Sequence, residues 1–377
     1  MDNGQRSMSQ ECNIIPKPCA LKATHVIFKK IFFYICRANV PEPSTETQEA
    51  ATKDAECQAD SAKELYASLD KLSAQVPHLE EKLAKQEFRF NNLGEKEIRT
   101  LTGFSVKTFQ IIFDFFDLTH CLSHTSHSKL DPLNQFLLFM IRIRQGLSEA
   151  VLAIMFKIDQ SNVNRTFKKC LGALYSKVKP LDIWPSRDQV QALMPLFFHR
   201  NFPACRVIID CTEFYWQQTK NPYNQQCSFS SYKNHNTLKA LIGMAPNGSI
   251  TFISNLYLGG ISDIELTRRS GLLEKLEPGD LILADRGFTR MTPEFEKRNL
   301  SLSTPYFLQN KVQFPLDERG ENKMVSSHRC HVERAIGRIK NFKILEGIIP
   351  MNLLNVEEIY YVCCFLCNFN DQPLMSA

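Results

Sequence analysis

The sequence predicts a mixed α/β domain preceded by an all-helical segment. Three observations carry this. Apolar positions recur at helical spacing from Leu65 to Leu171, strand-like runs begin at Arg206, and helical patterns return near Ser327 and Val356. The chain has 377 residues, enough for two or three domains. With 44% hydrophobic and 23% charged residues it has globular composition, so wholesale disorder is excluded. No apolar run approaches the roughly 18 residues of a membrane span, so no membrane partner is expected. The best candidate, Val26 to Cys36, is broken by Lys29 and Lys30 and lies too far in for a signal peptide. An odd count of 13 cysteines, in a chain that needs no staples, points to free thiols in a reducing compartment. The net charge of +5 decides nothing by itself. Its distribution decides more.

Residues 1–61 carry no recognisable motif and stay unassigned, as a mobile region and linker. From Pro41 to Ala62 there is too little apolar surface to offset chain entropy. Residues 62–94 read as a coiled-coil-like helix. Leu65, Leu69, Leu72, Val76, Leu79, Leu83, Gln86, Phe90 and Leu93 alternate spacings of four and three, and eight of the nine are apolar. Pro77 should kink this helix or begin a new one. Such a seam suits a homodimer through residues 65–93, or equally an amphipathic helix packed on its own domain.

Residues 95–180 read as helical. Phe104, Phe109, Ile112, Phe113 and Phe116 recur at spacings of three to five, and Asp131-Pro132 starts a helix before the apolar run Phe136 to Ile143. Then Ser148 can cap one short helix and Asp159 a second. Val151, Leu152, Met155, Ile158, Val163, Phe167 and Leu171 would fill the angle between them. The second helix would expose Gln160, Ser161, Asn164, Arg165 and Lys168, within a stretch (157–179) holding six Lys/Arg and one acid. Polar groups at its N-terminus for base edges and basic ones for phosphates are what a helix-turn-helix recognition helix needs. Plain helix packing uses the same pattern.

From residue 200 to 370 the texture is α/β. Arg206 to Asp210 and Phe214 to Gln217 read as strands. Leu238 to Ala245 and Ser249 to Tyr257 flank Pro246-Asn247-Gly248, a hairpin signal. Leu281 to Ala284 is a further strand, and helices are expected at Ser327–Phe342 and Val356–Phe369. Two strands end in aspartate, Asp210 and Asp285, which would deliver carboxylates at a sheet edge; Gly287 permits close approach there. Glu333 is the only acid between Asn322 and Leu345, among six Lys/Arg. Three convergent carboxylates suit a pair of hard divalent cations, with Mg²⁺ or Mn²⁺ the natural choice, and such a pair suits phosphodiester displacement. Turn aspartates, or a structural ion pair of Glu333 with Arg329, Arg334 or Arg338, are the plainer alternatives.

The stretches Ile209-Asp-Cys-Thr-Glu213, Ser231-Tyr-Lys-Asn-His-Asn-Thr237, Tyr257-Leu-Gly-Gly-Ile-Ser-Asp263, Leu283-Ala-Asp-Arg-Gly-Phe288 and His331-Val-Glu-Arg-Ala-Ile-Gly-Arg-Ile-Lys340 occur in order with the Pro-Asn-Gly hairpin among them. Together they resemble the DDE endonuclease domain of Harbinger-type eukaryotic transposases, and the helical region before them is similar to the helix-turn-helix that precedes this domain in the same group. The resemblance implies an RNase H-like catalytic domain, with Asp210, Asp285 and Glu333 as catalytic and metal-binding residues. Asp263 and Asp280 compete for the second position. It further implies double-stranded DNA as partner, held by Arg334, Arg338 and Lys340 besides the helix-turn-helix residues, a divalent metal cofactor, and a nuclear address. The rival reading is a domesticated protein that keeps the fold and binds DNA without catalysis; three acids facing DNA phosphates disfavour it. No structural zinc is expected. Cys12, Cys19, Cys36 and Cys57 do not supply the Cys/Cys/Cys/His pattern of the THAP-type finger that some relatives carry, and Cys363, Cys364 and Cys367 lack a fourth nearby ligand.

Overall fold

The structure is a computed structural model that describes residues 63, 65–78, 87–122, 129–305, 331–353 and 355–370. The chain divides into two compact units, Met1–Ala84 and Lys85–Ala377. In the first, residues 65–78 form a helix that continues through Pro77 to His78, so the expected break at this proline does not occur before His78. Leu65, Leu69, Leu72 and Val76 lie exposed along it. Leu79, Leu83 and Gln86, and the whole of residues 1–61, lie outside the described residues. The heptad's last members do not continue a helical seam. Phe90 sits in a 3₁₀ turn, Phe90–Asn92, stacked 4.9 Å from Phe109, and Leu93 packs on the core of the second unit.

That second unit begins with helices Glu95–Thr102 and Val106–Phe115, separated by Gly103 and capped anew by Ser105, whose side chain accepts from the Thr108 N–H. Asp131 caps helix Pro132–Gln145, accepting from Asn134 N at 2.7 Å with Pro132 at the first turn. Helices Glu149–Phe156 and Gln160–Val178 follow. Ser148 caps the former as expected. Asp159 makes no side-chain cap and meets Asn162 instead, at 3.4 Å. Leu152, Ile158, Val163, Phe167 and Leu171 are buried in the angle, Met155 is half-buried, and Val151 is exposed on the outer side.

The sheet runs β2 (Phe229–Ser230)-β3 (His235–Met244)-β1 (Cys205–Tyr215)-β6 (Leu281–Leu283)-β7 (Ser301–Ser303), with β4 (Ile250–Ile253) and β5 (Tyr257–Leu258) also on β3. β1 is antiparallel to β3 and parallel to β6, which is parallel to β7. Five strands joined by antiparallel pairs (β1–β5), extended by two parallel ones, with helices on the faces, form the mixed RNase H-like sheet that the resemblance implies. One expected boundary is corrected. Arg206–Asp210 and Phe214–Tyr215 belong to a single strand, because β3 pairs with β1 without interruption from Ile208 to Tyr215, and Trp216 and Gln217 lie past its end. Asp210 is therefore mid-strand, and only Asp285 follows a strand end.

Alternation along β1 divides the core. Ile208 and Phe214 face a large cluster with the helical segment, helix Val356–Leu366 and the apolar side of the 331–340 helix; Val207 and Ile209 face a smaller one under helix Asp263–Arg269. Burial of each such side chain contributes roughly 1.5–3 kcal/mol. The helical segment and the sheet share the larger cluster, so the C-terminal half of helix Gln160–Val178 is spent on packing, as Tyr175 against Tyr361 illustrates. Cys363, Cys364 and Cys367 lie in this core, where burial pushes all three thiols up.

Candidate active site

Register brings the two aspartates together. Ile208 on β1 is level with Leu283 on β6. Asp210 lies two residues beyond Ile208 on β1, Asp285 lies two residues beyond Leu283 past the end of β6, and both line one cavity. The face of Ile208 and Leu283 is the one covered by the 331–340 helix, whose Val332, Ala335 and Ile339 are buried against it. Glu333, Ile336 and Lys340 occur at i, i+3 and i+7, a single stripe of the helix. All three line this cavity of about 490 Å³ together with Asp210 and Asp285. β6 ends at Leu283 while β1 continues to Tyr215, so the cavity opens along the overhanging stretch Asp210–Glu213. Asp210 Oδ1 accepts from its neighbour's N–H, Cys211, at 2.9 Å, and Asp285 Oδ1 from Arg286 N.

The same cavity holds groups that the residue pattern alone does not single out. Lys239 on β3 is level with Glu213 on β1. Its Nζ lies 2.6 Å from Asp263 Oδ1 and 3.6 Å from Glu213 Oε1, and Thr237 Oγ1 donates to Glu213 Oε2 at 2.8 Å. Burial works to lower the Lys239 pKa, but the hydrogen bond and charge of Asp263 outweigh it and the net shift is upward. Cys211 alongside is pushed well up, first by burial and then by the Asp263 charge. Lys340 is lowered, by burial and by Lys233, against the opposing pull of Asp210 and Glu213. The loop before Asp263 is held down at Gly259 and Gly260: a Cβ would lie 1.9 Å from Thr237 Oγ1 at the first and 2.5 Å from the Cys227 carbonyl at the second. Gly287 approaches the Asp263 carboxylate, where a Cβ would sit 3.3 Å from Oδ2.

Of the two competitors for the second position, Asp263 lines the cavity and Asp280 does not. Asp280 is buried in an ion pair, 2.8 Å from Arg187 and 3.5 Å from Arg206. Asp263 is neutralised by Lys239, whereas Asp285 lines the cavity with Asp210.

Among the described residues no three His, Cys, Asp or Glu side chains surround one point closely enough to hold an ion. Asp210, Asp285 and Glu333 all line the cavity without converging on one point. Mg²⁺ is commonly bound through one or two carboxylates and retains several waters, so an all-oxygen donor set of this kind fits a hard divalent cation but is no closed cage.

The nucleic-acid residues expected from sequence separate into two groups. Gln160, Ser161, Arg165 and Lys168 are exposed on the N-terminal half of helix Gln160–Val178. Asn164 is diverted: its Nδ2 donates to Glu149 Oε1 at 2.7 Å, and Glu149 is paired at 2.9 Å with Arg142. An adenine-reading role for Asn164 would require breaking that bridge, so it is assigned to holding the two helices together. Arg334 is exposed and Lys340 lines the cavity, but Arg338 is half-buried and opens into a different cavity. Arg329 lies outside the described residues. Gly337 packs against nothing: a Cβ there would meet no heavy atom within 4 Å, so neither close helix–sheet packing nor a sheet backbone explains it. Gly337→Ala is expected to raise stability by about 0.5–1 kcal/mol, read from urea unfolding.

Among the described residues no helix is long and apolar enough to cross a membrane. Residues 209–368 match the family model described as DDE superfamily endonuclease, and residues 128–180 match that of the helix-turn-helix of DDE superfamily endonuclease. No curated protein and no solved structure matches the chain. The first match spans Asp210, Asp285 and Glu333 and the second spans the capped helix pair, in the order that the fold displays, and together they indicate a DDE superfamily endonuclease domain with a preceding helix-turn-helix.

Proposed function

We propose that this protein is a transposase-like nuclease that hydrolyses phosphodiester bonds of double-stranded DNA using Mg²⁺ or Mn²⁺, with strand transfer as a further step of the same site. The observation that carries this reading is the single cavity lined by Asp210, Asp285 and Glu333. Asp210, Asp285 and Glu333 would hold the cations, which when bound supply an activated water and neutralise the leaving oxygen. The remaining roles belong to the chain's own groups. Lys340 on the Glu333 stripe and Lys233 line the same cavity and give it positive charge, which suits a phosphate backbone. Lys239 holds Glu213 and Asp263 as paired carboxylates, so they shape the wall without adding free negative charge.

Nicking of a supercoiled plasmid tests the reading. The wild-type chain should nick only with Mg²⁺ or Mn²⁺, and Asp285→Asn should not. Duplex binding with no metal-dependent nicking would favour the domesticated, DNA-binding alternative, and nicking that survives in Asp285→Asn would remove Asp285 from the mechanism. Arg165 and Lys168 supply the second arm. Arg165→Ala/Lys168→Ala should weaken duplex binding and flatten its log–log salt dependence by about 0.9 per lost phosphate contact. An unchanged slope would remove this helix from the DNA interface. Work on chromosomal DNA makes the site of action nuclear, which the distribution of a fluorescent fusion would check.

A further inference from the structure

We infer that a basic track leads from the carboxylate cavity to a separate arginine pocket, and that the pocket holds a backbone phosphate of the same DNA strand. The inference rests on the DNA-processing reading above. Three adjoining cavities share walls. Lys340 borders both the carboxylate cavity and a second one of about 300 Å³. Arg144 and Asn341 border that second cavity and a third of about 270 Å³, which also receives Arg99 and Arg338. The third is just below the roughly 300 Å³ at which ordinary small-molecule pockets begin, so it suits one group of a longer ligand better than a whole cofactor.

Its chemistry points to an anion. Among the described residues, three guanidinium groups and two asparagines line it and no carboxylate does. Arg99 also pairs with Glu95 at 3.1 Å on its own helix, an exposed contact worth little. Arg144 contacts the face of Phe342, 5.8 Å from its centroid, rather than an acid among the described residues. Burial lowers the Arg144 pKa, but a guanidinium stays charged at neutral pH, so the site keeps its positive charge at a desolvation cost that a phosphate would offset. Gly103 makes the space. It adopts φ +84° at the end of helix Glu95–Thr102, and a Cβ would lie 2.9 Å from Arg144 Nε, so both backbone angle and room favour glycine. The 331–340 helix links the two sites: Arg338 follows Glu333 by five residues, about 7.5 Å along the axis and about 140° around it. A strand leaving the carboxylates past Lys340 would cross to this other face.

The test is duplex binding by fluorescence anisotropy across a salt series with the full chain. Arg99→Gln/Arg338→Gln changes the less buried arginines, and Arg144→Gln the half-buried one; unfolding curves check that each folds. Arg99→Gln/Arg338→Gln should weaken binding several-fold and reduce the log–log salt slope by about 0.9 for one lost contact. An unchanged slope and affinity in folded Arg99→Gln/Arg338→Gln would overturn the proposal. Titration with inorganic phosphate separates the sources: saturation by free phosphate that leaves DNA affinity untouched would make this a small-anion site and overturn the DNA assignment. Failure of the nuclease reading shows elsewhere, as duplex binding with no metal-dependent nicking, and leaves the slope result standing.

Discussion

Glu333→Gln is expected to lower metal-dependent nicking on the order of 10³-fold, about 4 kcal/mol of transition-state stabilisation. The substitution keeps the shape of the side chain and its helix propensity and removes only the charge. Glu333 is on the exposed side of its helix, while Val332, Ala335 and Ile339 carry the packing. Unfolding free energy should therefore move by no more than about 0.5 kcal/mol. A neutral amide is a poor ligand for a hard cation, so the loss should appear in the rate and in the metal concentration needed, with duplex affinity held or slightly raised as one negative charge leaves the cleft. Rates measured against Mn²⁺ concentration, beside a melting curve, decide it. Unchanged nicking by this variant would end the three-carboxylate mechanism, whatever the Asp285 variant does.

Lys239→Met should destabilise the fold by about 3 kcal/mol or more. Lys239 is buried between two acids, and removing one partner of a buried pair leaves an uncompensated charge, for which losses of roughly 3–5 kcal/mol are typical. Glu213 is the more enclosed acid, and Thr237 hydrogen-bonds it in place. Changing the acid as well should therefore restore part of the loss: Lys239→Met/Glu213→Gln should be more stable than Lys239→Met alone. Urea unfolding of the two single variants and the double one closes the cycle. A Lys239→Met protein as stable as wild type would mean that water, rather than Lys239, compensates these carboxylates. It would also remove the argument that Asp263 is a neutralised wall rather than a rival ligand.

Local chemistry made several features legible. Asp131-Pro132 and Ser148 announced their helices because capping is decided within one turn. The Pro-Asn-Gly turn announced β3 and β4, and Gly248 takes φ +94° there. The aspartates after apolar runs and the lone acid among basic residues at 333 stood out for the same reason: each is a contrast with its immediate neighbours. What depends on a partner distant in the chain was not legible. The continuity of β1 required β3, which supplies the ladder through Tyr215. Asn164 looked like a base-reading side chain until Glu149, fifteen residues away, claimed its amide. Asp280 looked like a candidate ligand until Arg187, from a segment ninety-three residues earlier, neutralised it.

The sequence by itself determined the layer order, the helix-turn-helix, and the residue types able to bind cations, because periodicity, capping and isolated charge act over a few residues. Only the tertiary structure decided which acids share a cavity, which are silenced by Lys239 or Arg187, and that Arg99, Arg144 and Arg338 converge. Those outcomes follow from strand register and helix packing, which bring distant residues within hydrogen-bond range and leave no trace in local spacing.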